Sequence, residues 1–445
     1  MTEPLARTAG HTLGAGLIGV ALGFHNSILI ARLLGPAGRG SHELIIATSG
    51  LLTALLGLSL TSGITWAVAT ESAAPRRLAP GLLVAAIVQT AFAGVLLALV
   101  DTSGLGENLL PVASGGWVVP ATVALFGLQT LNGYWRAVLI GARRILDANR
   151  TDVLLRGSLA LMLAVAGVGA WLGGVRPGLS WITALTVVSW TLAQAALVAR
   201  LKSTPSPPRA GAGYRVVARY SLPSYFGNLA QFLNYRMDTF FVNHFLGAAS
   251  VGLYTLAVAI AQLVWLISSA AATVLLPAVA SMSDHRRGAE LAAGACRVAF
   301  WSTVAASAML ALAAPVAIPM VYGAGFAASV LPLVVLLAGV AAFSVVNVLG
   351  GGYLAGIGRP QDNMRVAWVA LAVTTAGDLL LIPRLGIAGA ALASTASYLT
   401  SAVLTVYLFR RKTSQSLASV FRLRRSDLAR LFPARPPELA REMPA

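Results

Sequence analysis

The sequence predicts an all-α polytopic membrane protein of about twelve transmembrane helices, built as two six-helix bundles related by a pseudo-twofold axis. Three observations predict it. Mean hydropathy is +0.78, with 57% hydrophobic and 11% charged residues, where a soluble domain carries about a quarter charged residues. Apolar runs of about 20 residues, enough to cross a roughly 30 Å hydrocarbon layer, recur between residues 11 and 409. Two unrelated phrases each occur twice, about half a chain apart.

Hydropathy places the spans at 11–34, 41–69, 81–100, 118–139, 153–172, 180–199, 220–246, 249–277, 295–320, 329–355, 366–383 and 387–409. The first run has no small-residue cleavage site before Arg32, so it is expected to remain as a helix and not to be removed as a signal peptide. Arg76 and Arg77, Arg143, Arg144 and Arg150, the basic residues of 200–219, Arg286 and Arg287, and Arg359 and Arg365 share one set of connectors, as does the tail from Arg410. The alternate set holds only Arg39, Arg176 and Arg384, together with Asp101 and Glu107. Basic residues stay inside, so the chain is expected in the cytoplasmic (inner) membrane with both termini cytoplasmic. The net charge of +17 is thereby a matter of orientation and does not point to nucleic acid.

Cys296, the one cysteine, excludes an intrachain disulfide and a multi-thiolate metal site. His11, His25, His42, His244 and His285 are scattered. There is no Walker loop, metal-ligand cluster or nucleophile elbow. A catalytic residue, a cofactor and enzymatic activity are therefore not expected.

The stretch "RLKSTPSPPRAGAG" has linker composition. It divides the chain into an N-terminal bundle at 1–199, a basic cytoplasmic linker at 200–219, a C-terminal bundle at 220–409 and a basic tail at 410–445. The phrases "ILIARLLGPAGRG" (Ile28 to Gly40) and "FFVNHFLGAASVG" (Phe240 to Gly252) echo each other at an offset of 212 residues. Gly141, Arg144, Asp147 and Arg150 recur as Gly356, Arg359, Asp362 and Arg365 at an offset of 215. Two unrelated echoes at one offset indicate a duplicated six-helix unit. An even helix number gives both copies one orientation, and such transporters hold substrate at the repeat interface near mid-membrane. In each copy the first echo reads as a span, a four-residue connector and a glycine.

Polar side chains inside spans face a cavity or a partner. In the seventh span Asn228, Gln231, Tyr235 and Asp238 fall within about an 80° arc at 100° per residue, with Asn234 beside them. Arg236 points elsewhere on the wheel, and an Arg236–Asp238 network holding helices together is the plainer alternative. In the first span His25 and Arg32 share a face, with Asn26 and Ser27 adjacent. His25 reads either as a packing residue or as a proton switch, and Arg32 as a cavity residue or a snorkelling one. Gln129, Asn132 and Arg136 form a stripe on the fourth span, where Arg136 also fits orientation by charge. Asn347 and Asp378 stand isolated, with no role assigned. Pro120, Pro223, Pro277, Pro315, Pro319 and Pro332 permit bends in or at the ends of spans. The basic tail reads either as an amphipathic segment on the anionic inner leaflet or as a solvated one.

The phrases "ARLLGPAGRG", "LNYRMDTFFVNHFLGAASVGLYTLAVAIAQL" with "VLLPAVASMSD", and "LLIPRLGIAGAALASTASYLTSAVL" resemble the polysaccharide (O-antigen/oligosaccharide-lipid) flippases of the multidrug/oligosaccharidyl-lipid/polysaccharide exporter superfamily. The resemblance implies a V-shaped alternating-access transporter that moves a polyprenyl-pyrophosphate-linked oligosaccharide from the inner to the outer leaflet. It further implies membrane lipids as surroundings, glycan polymerase and export machinery as partners, and H+, Na+ or the membrane potential as driver. "LGFHNSILIARLLG" is also similar to the first helix of lipid II flippases, with His25, Asn26 and Ser27 where an Arg-Asp pair follows the LGF. On this reading Arg236, then Arg136, binds the pyrophosphate, Tyr225 and Tyr235 stack on sugar rings, and Asp238 binds a coupling cation or orients Arg236. A cation-coupled multidrug antiporter of the same superfamily and a lipid II flippase are the alternatives within transport. A membrane glycan ligase or polymerase is the alternative outside it.

Overall fold

The computed structural model describes residues 3–422 apart from 105, 112–113, 175–176, 205–210, 212, 283 and 414, with side chains from Gly14 onward except at Pro223, His285 and Pro360. Much of the linker and the tail beyond 422 lie outside the described residues, and so do the readings made for them. Among the described residues every regular element is helical. In the first half these are α1 (Glu3–Leu56), α2 (Leu60–Ala69), α3 (Pro75–Thr102), the short α4 (Gly106–Leu109), α5 (Val118–Gly141), α6 (Ile145–Gly173) and α7 (Leu179–Lys202). In the second half α8 (Tyr214–Leu246), α9 (Ala248–Ala280), α10 (His285–Tyr322), a 3-10 turn (Ala324–Ser329) and α11 (Val330–Val345) lead into a π-helix (Val346–Leu354). They are followed by α12 (Pro360–Leu385), α13 (Ile387–Thr413) and α14 (Leu417–Phe421).

Nine of the described segments are long and apolar enough to cross a membrane. α1 is one of these, though it turns at Gly35 and holds two passes. α5 and α8 are not among them, because they carry the polar stripes. With α1 counted as two passes and these two helices added, the described helices make the twelve passes that hydropathy predicts. Most run beyond their apolar windows, since the backbone ladder continues into the polar ends.

The second span differs from the expected continuous helix. It breaks at Gly57, Leu58 and Ser59, where Leu58 (φ 47°) and Ser59 (φ 50°) are left-handed. The expected four-residue connectors are also different: they are helical, and each turn is made by one glycine. Gly35 has φ 66°, ψ −175° and Gly247 has φ 79°, ψ 175°, a region open to almost no residue but glycine. Pro36 then starts the next helix at the position where proline is preformed.

The duplication is visible bond by bond. Arg144 N donates to Leu139 O at 2.8 Å, as Arg359 N does to Leu354 O at 2.9 Å. Arg143 and Gly358 are both left-handed, at φ 60° and 74°. Asp147 gathers Arg144, Arg150 and Arg200, and Asp362 gathers Arg365 and Lys412. Each carboxylate ties the start of its copy's fifth span to the end of the sixth.

The chain forms two compact units. One comprises Met1–Leu256, Val316–Val330 and Asp378–Ala390, and contains a cluster of Ile64, Leu78, Leu82, Tyr134, Trp135, Leu139 and Leu197. The other comprises Ala257–Pro315, Leu331–Gly377 and Ala391–Ala445, and is built on Leu275, Cys296, Val348, Tyr353, Leu354 and Phe409. Large apolar residues such as Trp171, Leu172, Met309 and Leu312 remain exposed, as suits a surface solvated by acyl chains. Lipid gives helices no hydrophobic drive to associate, so close approach and interhelical hydrogen bonds hold them.

Candidate functional site

The polar groups of the first unit sort into four neighbourhoods. The break in the second span is one. It frees carbonyls at mid-helix, which side chains from other helices satisfy. Tyr225 Oη donates to Leu55 O at 3.0 Å and Gln89 Nε2 to Leu56 O at 2.8 Å, while Tyr134 Oη donates to Gln89 Oε1 at 2.6 Å. Asn228 Nδ2 donates to Ser59 Oγ at 3.0 Å. Nearby, Gln129 Nε2 donates to Ser49 Oγ at 3.0 Å. Asn132 is buried. Part of the α8 stripe thus faces the broken helix. Gln231 is exposed and donates to Tyr235 Oη at 3.2 Å, one turn on.

The second neighbourhood is Asp238, buried with Asn234 on α8. Tyr254 Oη donates to Asp238 Oδ2 at 2.5 Å and Thr239 N to Oδ1 at 2.7 Å. Asp378, with 0% exposure, lies close enough to Asp238 for the two charges to interact. Neither of its carboxyl oxygens has a hydrogen-bond partner among the described residues. Arg236 is half-buried and acts on Asp238 through its charge, without a hydrogen bond or ion pair to the described residues. The simple Arg236–Asp238 pair is thus replaced by a tyrosine–aspartate contact.

The third neighbourhood joins α5 and α6. Arg136 forms an ion pair with Asp152, and Arg156 lies one turn beyond, against Gly19 and Gly23 of α1. Asn26 Nδ2 donates to Arg156 O at 3.0 Å. Neither Asp152 nor Arg156 is legible as a site residue in sequence, because the apolar run is read from 153 and arginines near its start pass as orientation charges.

The fourth is built on α1. Arg39 is 2% exposed; its Nη1 donates to Gly252 O at 2.7 Å and Thr255 Oγ1 at 3.0 Å, and Nη2 lies 3.6 Å from Glu43 Oε1. In sequence it reads only as a connector charge. Buried His42 reaches Thr186 Oγ1 at 3.2 Å. Exposed Arg32 donates through Nε to Val321 O at 2.8 Å and also to Met320 O, satisfying the free carbonyls that end α10. His25 is exposed. In the second unit Asn347 Nδ2 donates to Ser268 Oγ at 2.9 Å, a structural contact for a residue with no role assigned from sequence. Among the described residues no group of three or more His, Cys, Asp or Glu is placed to hold a metal.

A twelve-pass helical protein with charges and amides inside its spans is a membrane transporter in architecture. The family described as lipid II flippase MurJ matches residues 152–431, more than half the chain, and the chain belongs to that family. No curated relative matches in sequence. Solved structures show the same fold. One is a lipid II flippase MurJ in an inward closed conformation (TM-score 0.71, 13% identity, covering 89% of this chain and 87% of that one). A second is a multidrug resistance MATE family transporter of the MOP superfamily, inward-facing (0.69, 16%, 89% and 94%). A third is a MOP superfamily transporter from Pyrococcus furiosus (0.57, 14%, 93% and 95%). The superfamily expected from sequence is therefore present, through its MurJ branch.

Proposed function

We propose that this chain is an alternating-access flippase that carries a polyprenyl-pyrophosphate-linked glycan from the inner to the outer leaflet of the cytoplasmic membrane. The observation that carries the reading is a MurJ-family chain whose α5, α6 and α8 hold Arg136, Asp152, Arg156, Asn228, Gln231 and Asp238 inside otherwise apolar helices. A charged head cannot enter hydrocarbon unaccompanied. Side-chain donors and guanidinium groups replace its water, while the polyprenyl tail stays in lipid. Tyr225 Oη is engaged by Leu55 O and Tyr235 Oη by Gln231, and both rings keep their proposed role in sugar stacking.

Family membership supports lipid II as the glycan carrier. His25, Asn26 and Ser27 in place of an Arg-Asp pair support a peptide-free oligosaccharide. Asp238 with Asp378 is the proposed site for a coupling H+ or Na+, because a carboxyl buried without partners gains most from a bound cation. The test is reconstitution into vesicles loaded with fluorescent lipid II or with a peptide-free oligosaccharide pyrophosphate lipid. Transfer of either supports the flippase and selects its glycan. Transfer of neither, under imposed proton and sodium gradients, contradicts it.

A further inference from the structure

The two copies of the six-helix unit differ in charge. By the offset of 215 residues that aligns Gly141 with Gly356, the partners of Arg136, Asp152 and Arg156 are Gly351, Ala367 and Leu371. The same helix pair is thus made once with three charges and once with none, so packing does not require them. Within the charged copy there are two guanidinium groups and one carboxylate. Arg136 takes Asp152. Arg156 is exposed, and its guanidinium forms no hydrogen bond or ion pair with a described residue. It lies close enough to Arg136 for the like charges to interact. It is the fourth residue of the apolar run that begins at 153, so it lies within the span close to its basic end. α1 makes room for it: a Cβ on Gly23 would fall 2.7 Å from Arg156 Nη1, and one on Gly19 3.8 Å from its Nε.

We propose that Arg156, with the Arg136–Asp152 pair beside it, is the site that receives the pyrophosphate of the lipid-linked substrate. This rests on the flippase reading above. A guanidinium binds phosphate oxygens two at a time, and the excess positive charge of the cluster is what a pyrophosphate neutralises. Arg136 then exchanges Asp152 for a phosphate oxygen, so the ion pair holds the second guanidinium in place until the head arrives.

The test measures binding of geranylgeranyl diphosphate to the purified full-length protein in detergent, against geranylgeraniol and dioleoylphosphatidylglycerol. Wild-type protein should bind the diphosphate and not the alcohol. Arg156→Gln should weaken binding at least tenfold, Arg156→Lys three- to tenfold, and Arg150→Gln, outside the cluster, less than twofold. Gel-filtration profiles and melting temperatures establish that the variants are folded, and Arg156→Lys alone decides the matter if Arg156→Gln is not. Binding by the Arg156 variants within twofold of wild type overturns this site and leaves the flippase reading standing. Equal competition by phosphatidylglycerol also overturns it, since the site is then a general anionic-lipid contact. No diphosphate binding by wild type overturns the flippase reading and this site together.

Discussion

Gly40 and Gly252, equivalent residues of the two repeats, meet backbone to backbone in one unit. A Cβ on Gly40 would fall 1.7 Å from Ala248 O, and one on Gly252 2.0 Å from Pro36 O. Pro36 and Ala248 are themselves repeat partners at the offset of 212, so the crossing is symmetric. The doubled phrase therefore encodes its own contact: a glycine hinge, one turn of helix, then a glycine that lets the two copies touch. Gly252→Ala and Gly40→Ala should each destabilise the protein by about 1–3 kcal/mol through overpacking, to similar extents. Thermal unfolding of the purified variants checks this, and wild-type stability in either removes the crossing as a structural requirement.

Leu58 holds a left-handed backbone at φ 47° with its side chain 44% exposed. Leu58→Gly should then raise stability by about 1 kcal/mol, because strain is relieved and little packing is lost. Tyr225→Phe should lower it by about 1 kcal/mol by leaving the Leu55 carbonyl without its donor. Opposite signs from two substitutions at one helix break are read by the same melting measurement.

Asp147 and Asp362 make matching ion clusters in the two repeats. Asp147→Asn and Asp362→Asn should cost about 1–3 kcal/mol each, the range for hydrogen bonds to charged groups. Denaturant titration of both variants checks whether the repeats are energetically alike. A cost confined to one copy denies that equivalence.

Asp378 is buried, and neither of its carboxyl oxygens has a hydrogen-bond partner among the described residues. Asp378→Asn should leave the melting temperature unchanged or raised, since no hydrogen bond is broken. It should also abolish the dependence of transport on a proton or sodium gradient. Gradient-dependent transport by the variant excludes Asp378 from coupling.

The α8 stripe is legible because a 3.6-residue period and membrane polarity both mark it, and Asn228, Tyr225 and Asp238 do meet partners on other helices. The repeat is legible because glycine echoes survive where side chains drift. What local pattern cannot disclose is pairing at long range. Arg39 looks like a connector charge until Gly252 O is found against it. Asp378 looks isolated until Asp238, 140 residues earlier, comes close. Asp152 and Arg156 lie beside a basic connector at the start of the run read from 153, so neither is singled out in sequence, whereas Arg136 is already read there as part of a stripe and as a phosphate ligand. The break at Gly57 to Ser59 is hidden for another reason: the apolar run continues through it without a proline.

The proposed role of these embedded polar groups is to carry an anionic head. It is tested most directly by the rates at which a fluorescent glycosyl pyrophosphate lipid and its neutral, phosphate-free analogue cross the same reconstituted vesicles. Rapid transfer of the pyrophosphate lipid, and none of the analogue above protein-free vesicles, is expected. Equal transfer of the two lipids would contradict it.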